Sequence, residues 1–163
     1  MNDSIQITLQ SDRVDDIKYV LGRYNNVFKK DISIEVKKQL ENSEIVLIKN
    51  FENFDEIFVV GFYYGTKIQK NGAELEPFVT ISENAIGKKR FRIISNDDKL
   101  ILDVINDYNR RFFKSFTVTR FDYDEVIFAE IYGEIIMVED IFFLGSSFGT
   151  SAQAKRESRL IDW

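Results

Sequence analysis

The apolar period changes along this chain, and that change constrains the fold more than any other feature. Val14, Ile17, Val20, Leu21, Tyr24 and Phe28 recur at helical spacing on one face, behind Ser11 or Asp12 as a cap. Ile34 to Leu40 predicts a second, short helix. From Glu44 the pattern becomes β-like. Ile45 to Ile48 reads as a strand, and Glu56 to Tyr64 (EIFVVGFYY) reads as another because it is rich in β-branched and aromatic residues. Asn71-Gly72, set between Lys67-Ile68-Gln69 and Leu75 to Ile81, is a hairpin signal, since both turn residues tolerate positive φ. Arg90 to Ile94 reads as a further strand, and Ile5, Ile7 and Leu9 alternate as a short strand or extended arm.

The second half opens on the clearest helix, Asp97 to Phe112. Leu100, Ile101, Val104, Ile105, Tyr108 and Phe112 form one stripe. Asn96 caps it, and acidic residues at its start with Arg110, Arg111 and Lys114 at its end suit the helix dipole. Ser115 to Phe121 and Glu125 to Ile131 read as a hairpin around Asp122-Tyr123-Asp124. Met137 to Leu144 begins a last helix, which Gly145 to Ser151 interrupts or ends. Runs of strands broken by helices, with little β-α-β alternation, predict an α+β fold. It would be an antiparallel sheet of about five to six strands with helices packed on it, in the order helix, strands, helix, hairpin, helix. The single proline, Pro77, and the lack of a linker or a visible repeat predict one domain over 1–150, with a polar tail over 151–163.

Composition narrows the chemistry. The chain has 163 residues with 44% hydrophobic residues and 15 Phe, enough to build a core. It has no Cys and no His, which excludes disulfides, thiolate metal sites, imidazole ligands and the usual Ser-His-Asp triad. No cofactor-binding motif is present. The net charge of -5 argues against broad contact with phosphates; it permits a basic protein partner, and mild acidity also serves solubility alone. Met1 to Leu9 lacks the basic region and apolar run of a signal peptide, and no apolar stretch is long enough to span a membrane. The expected compartment is the cytoplasm, with no nucleic-acid or membrane partner, and a homodimer is allowed.

Four clusters are candidates for a site. Asp122, Asp124, Glu125, Glu130, Glu134, Glu139 and Asp140 form the densest acidic stretch, able to take a hard cation or supply an acid–base pair, but their spacing fits no EF-hand loop. A solvated hairpin tip and a helix start explain the same residues. Gly145, Ser146, Ser147, Gly149, Thr150 and Ser151 could cradle a phosphate, yet the P-loop lysine and spacing are missing, and a helix end accounts for them. Lys88, Lys89, Arg90 and Arg92 beside Phe91 could meet a single strand of nucleic acid, or simply line a solvated strand. The aromatics of Phe58 to Tyr64, with Phe142, Phe143 and Phe148, are either core or interface. The binding surface is expected from Phe62, Tyr64, Asp122, Tyr123, Asp124, Glu125, Phe142 and Phe143, with no catalytic and no metal-binding residue.

The layout of Ser95 to Ile135 resembles the type III secretion chaperone-like fold, including the YbjN-type bacterial proteins. Its helix carries Ile105-Asn-Asp-Tyr-Asn-Arg110 and is followed by Phe112 to Phe121 and Val126 to Tyr132. That resemblance implies the order helix, three strands, helix, two strands, helix. It also implies a non-enzymatic, acidic, often dimeric protein that binds an extended segment of a client. The function expected is a non-catalytic protein-binding module: a chaperone, an adaptor, or an inhibitor of the immunity or anti-defence kind. The alternatives are a metal-dependent carboxylate enzyme built on Asp122, Asp124, Glu130 or Glu134, and a structural subunit in which Ile5, Ile7 and Leu9 add as a strand to a neighbour.

Overall fold

A computed structural model describes residues 4–72, 89–94, 98–123, 126–133 and 137–161. Alternation places Ile7, Leu9 and Ser11 of the first strand, β1 (Ile5–Ser11), on its buried face. The helix α1 (Val14–Phe28) follows, burying Val14, Ile17, Val20, Leu21 and Tyr24 as its 3.6-residue period requires. It stops at Lys29, which takes the left-handed conformation (φ 55°). The next strands are β2 (Ser33–Gln39) and β3 (Glu44–Phe51), then the helix α2 (Phe54–Lys70). Beyond it lie β4 (Lys89–Ile94), α3 (Asp98–Phe112), β5 (Thr117–Tyr123), β6 (Val126–Gly133) and α4 (Val138–Ile161).

The fold is α+β, but the strands do not form one sheet. They form two antiparallel three-stranded sheets, β1-β3-β2 and β4-β6-β5. In each, the last strand of the half inserts between the first two, so Ile7 pairs with Ile48 and Leu9 with Val46 in one sheet. Phe91 pairs with Ile131 in the other. The chain therefore runs through one plan twice, strand, helix, two strands, helix, which corrects the expectation that it holds no repeat. Equivalent positions carry equal residues: Ile17 and Ile101, Val20 and Val104, Tyr24 and Tyr108, Asn25 and Asn109, Phe28 and Phe112, Lys30 and Lys114, Phe58 and Phe142. Local devices recur as well. Asn25 brackets the backbone of Ile32 through both its amide atoms, and Asn109 does the same to Phe116. Phe113 repeats the left-handed backbone of Lys29.

The two halves join through α2 and α4, the most extensive contact between elements among the described residues. Four glycines make it possible. A Cβ at Gly61 would run into the Phe142 carbonyl oxygen, and one at Gly65 into that of Ser146. Reciprocally, Gly145 faces the Phe58 carbonyl and Gly149 that of Phe62. Small residues four apart on both helices let the backbones meet with no side chain between them. Phe58 then packs on Phe148 (ring centroids 5.5 Å) and Tyr64 on Phe142 (5.6 Å), again as equivalent pairs.

This arrangement explains where the sequence expectations fail. Glu56 to Tyr64 is helix, not strand. Asn53 accepts the Glu56 N–H as a cap (2.9 Å), and the segment is apolar on most sides because α2 is a central helix, which masks its helical period. Lys67 to Gln69 is the end of the same helix, so the expected hairpin is corrected. Asn71-Gly72 forms a turn after it, with Gly72 at φ 69°, and Leu75 to Ile81 lies outside the described residues. Ile34 to Leu40 is the edge strand β2, not a helix, decided by its pairing with β3. Gly145 to Ser151 neither ends nor interrupts α4, which runs on through to Ile161. The expected order beginning with a helix is corrected too: a strand comes first, and a helix, α2, separates β3 from β4. The strands at Ile5–Leu9, Arg90–Ile94 and the β5–β6 hairpin, and the helices at 14–28 and 98–112, stand where expected. The caps proposed at Ser11 or Asp12 are replaced by Arg13, and Asn96 lies outside the described residues. Among the described residues no helix is long and apolar enough to cross a membrane.

Candidate functional site

Two features outside ordinary packing compete for attention. The first is a buried cluster found in both halves. Glu56, in the first turn of α2, accepts the Tyr24 hydroxyl (3.1 Å) and the Glu52 N–H (2.9 Å) and pairs with Lys30 (3.4 Å). Asp140, in the first turn of α4, accepts the Tyr108 hydroxyl (2.7 Å) and the Met137 N–H (3.2 Å) and pairs with Lys114 (3.3 Å). Burial, and then the adjacent carboxylate, pushes both phenols well above their ordinary value. Carboxylate, tyrosine and lysine together are the raw material of acid–base chemistry. Here, however, each carboxylate is occupied by a helix start, a phenol and an ammonium, and the same clasp occurs twice. Each ties the end of one helix to the start of the next, which is structural work.

The second feature lies in the first half. It is an open groove of about 530 Å³ along α1 and α2, lined also by Arg156 of α4. The i, i+4 rows of α1 and α2 build its walls. Tyr19, Arg23 and Val27 stand on α1, with Phe28 beside them; Phe62, Tyr63, Thr66, Lys67 and Lys70 stand on α2. Tyr19, Val27, Phe28 and Tyr63 are 48%, 63%, 47% and 42% exposed, a density of solvent-facing aromatic and apolar surface that folding does not require. Its floor is firm. Tyr24, held by Glu56, stacks on Phe28 (centroids 4.8 Å), so the first clasp also braces this wall.

The groove is cationic. Arg23 donates to the Tyr19 hydroxyl (3.1 Å), and the Lys67 ammonium lies 4.4 Å from the Tyr19 ring centroid. Arg23 first, and then Lys67 and Lys70, hold the Tyr19 phenol below its ordinary value. Among the described residues no carboxylate lines the groove, and none of Arg23, Lys67, Lys70 and Arg156 is in an ion pair.

The expected site residues are scattered by this fold. Phe62 lines the groove. Tyr64, Phe142 and Phe143 are buried in the core at 3%, 0% and 2% exposure, Tyr64 and Phe142 against each other. Asp122 and Tyr123 end β5, paired with Ile127 and Val126, and Asp124 and Glu125 lie outside the described residues. Glu139 and Asp140 are buried at the start of α4, and among the described residues no three acidic side chains gather as a metal site would need. The Gly145–Ser151 segment is no phosphate cradle, because its glycines face α2 inside a helix. Ile7 and Leu9 are buried in the chain's own sheet, paired with β3. The groove residues that sequence reading missed include Tyr19, Arg23, Thr66, Lys67 and Lys70, while Tyr63 stood in the aromatic cluster of Phe58 to Tyr64 but outside the expected binding surface. A helical reading of Phe54 to Lys70 would have put Tyr63, Thr66, Lys67 and Lys70 on one face.

No protein-family model matches the chain, and no curated protein matches it as a relative.

Proposed function

We propose that the protein is a non-catalytic protein-binding module, a chaperone, adaptor or inhibitor whose contact surface is the groove between α1 and α2. The observation that carries this reading is the gathering of Tyr19, Phe28, Tyr63 and Val27, all solvent-facing, along one groove. Aromatic side chains supply rigid contact area with few rotamers to freeze, and they are enriched where proteins recognise each other. The buried carboxylates support it from the other side, because both serve the fold and neither reaches the groove's open face.

The test is capture of partners from a lysate of the source cells on immobilised protein, at low and high salt, with mass spectrometry. Wild type is compared with a Tyr19→Asp, Tyr63→Ser variant. The expected result is one stoichiometric protein retained by wild type and lost from the variant. Equal retention by both would remove the groove from the reading, and no partner at either salt would count against a binding module.

A further inference from the structure

The repeat supplies an internal control for the groove. One backbone plan occurs twice in this chain, so residues needed for folding recur at equivalent positions. The clasp residues, the bracketing asparagines and the four contact glycines all do. The groove does not. Where α1 carries Tyr19 and Arg23, α3 carries Asp103 and Asp107. Where α2 carries Tyr63, Lys67 and Lys70, α4 carries Ser147, Ser151 and Ala154. The framework residues Tyr24 and Phe28 are kept as Tyr108 and Phe112. At this place the second half keeps one ring with one cation over it, Phe112 under Arg111 (5.7 Å), and that arginine is paired with Asp107. The fold is therefore built without the tyrosines and lysines of the first half's surface, which answer some other requirement.

Resting on the binding-module reading, we infer that the groove takes an acidic peptide segment carrying an aromatic or aliphatic anchor. Charge complementarity selects this occupant. Four cations line the groove in a chain whose net charge is -5, and among the described residues no carboxylate stands with them. The sign is opposite to the basic partner that net charge alone suggests, because recognition depends on the local surface and not on the sum. The anchor packs among Phe28, Phe62 and Tyr63, while its flanking carboxylates meet Arg23, Lys67 and Lys70. A nucleic acid would stack on the same rings, but its phosphates continue along the strand onto a net acidic protein. A short acidic segment places its charge only where the cations are.

Fluorescence anisotropy with labelled synthetic peptides tests this on the full chain. One peptide alternates Asp and Glu with Phe and Leu, a second replaces the acids by Asn and Gln, and a third replaces them by Lys. A thymidine oligonucleotide is the fourth probe. The acidic peptide is expected to bind, and to weaken as salt rises. An Arg23→Asp, Lys67→Ser, Lys70→Ala variant takes the second half's residues, which this backbone already accommodates. It should bind about tenfold more weakly, since three exposed charge contacts each contribute modestly. Tyr63→Ser alone should weaken the anchor's contact at unchanged salt dependence. Thermal melts confirm that both variants fold. If the three peptides bind alike and salt has no effect, the inference of an acidic occupant is overturned while the binding-module reading stands. If the variants bind as wild type does, the groove is not the site. Binding of the oligonucleotide alone, or of no probe, would overturn the acidic segment and leave the partner-capture experiment to judge the wider reading.

Discussion

Tyr108 is nearly inaccessible, yet its hydroxyl has a demanding partner in Asp140. Removing that oxygen leaves a buried carboxylate with one donor fewer. Tyr108→Phe should therefore lower stability by about 1.5–3 kcal/mol, the range for hydrogen bonds to charged groups, read as a shift in the urea midpoint. A second residue-scale consequence concerns pH. Burial pushes the Tyr64 phenol from its ordinary 10.0 up to about 12, the Ser11 hydrogen bond opposing it only in part. A phenol whose folded value is raised holds its proton more tightly in the folded state. Its contribution is intact below pH 10.0 and is lost as pH rises through about 12. Melting temperature should fall across that alkaline window, and Tyr64→Phe should flatten the fall. An unchanged slope in the variant would place the alkaline loss on Tyr24 and Tyr108 instead.

The glycines make their argument at the level of elements. Gly65→Ala sets a methyl group against the Ser146 backbone, where no side chain can swing aside. The expected loss is about 1–3 kcal/mol or more, as for other overpacked sites. Gly22, on the exposed face of α1, has nothing near its missing Cβ, so Gly22→Ala should stabilise by up to ~1 kcal/mol through helix propensity alone. Opposite signs for one substitution in two helices, measured by denaturant titration, separate close approach from propensity. The same contrast shows why α1 and α3 were legible in the sequence and α2 was not. The stripe of α1 faces one way, with polar residues opposite, so its period survives in the letters. In α2, apolar residues face a sheet and α4 as well, and Phe, Val and Tyr in a row imitate a strand. β2 failed for the converse reason: an edge strand buries little, and Ile34 and Val36 are too few to set a period.

One set of buried side chains runs through the whole molecule, drawn from both halves, and the α2–α4 contact lies within it. Neither half can lose its long helix without exposing Phe58, Tyr64, Phe142 and Phe148 to water. Unfolding should therefore be one cooperative transition, with circular dichroism and tyrosine fluorescence giving the same midpoint. Two separated transitions would show that the halves are held together more weakly than this contact implies. At this scale the groove also acquires its meaning, because only comparison of the two halves shows which residues folding can do without.

By itself the sequence determined the fold class, two of the helices, the β5–β6 hairpin and the absence of thiol and imidazole chemistry. These follow from local period and from composition, which need no knowledge of neighbours. The tertiary structure decided that EIFVVGFYY is a helix, that the strands divide into two sheets, and that Phe142 and Phe143 are core while Tyr19 and Tyr63 are surface. Those outcomes depend on which faces meet. The meeting of α2 with α4 is set by glycines 80 to 88 positions apart in the chain, whose role is to bring backbones together and which leave no signal of their own in an apolar pattern.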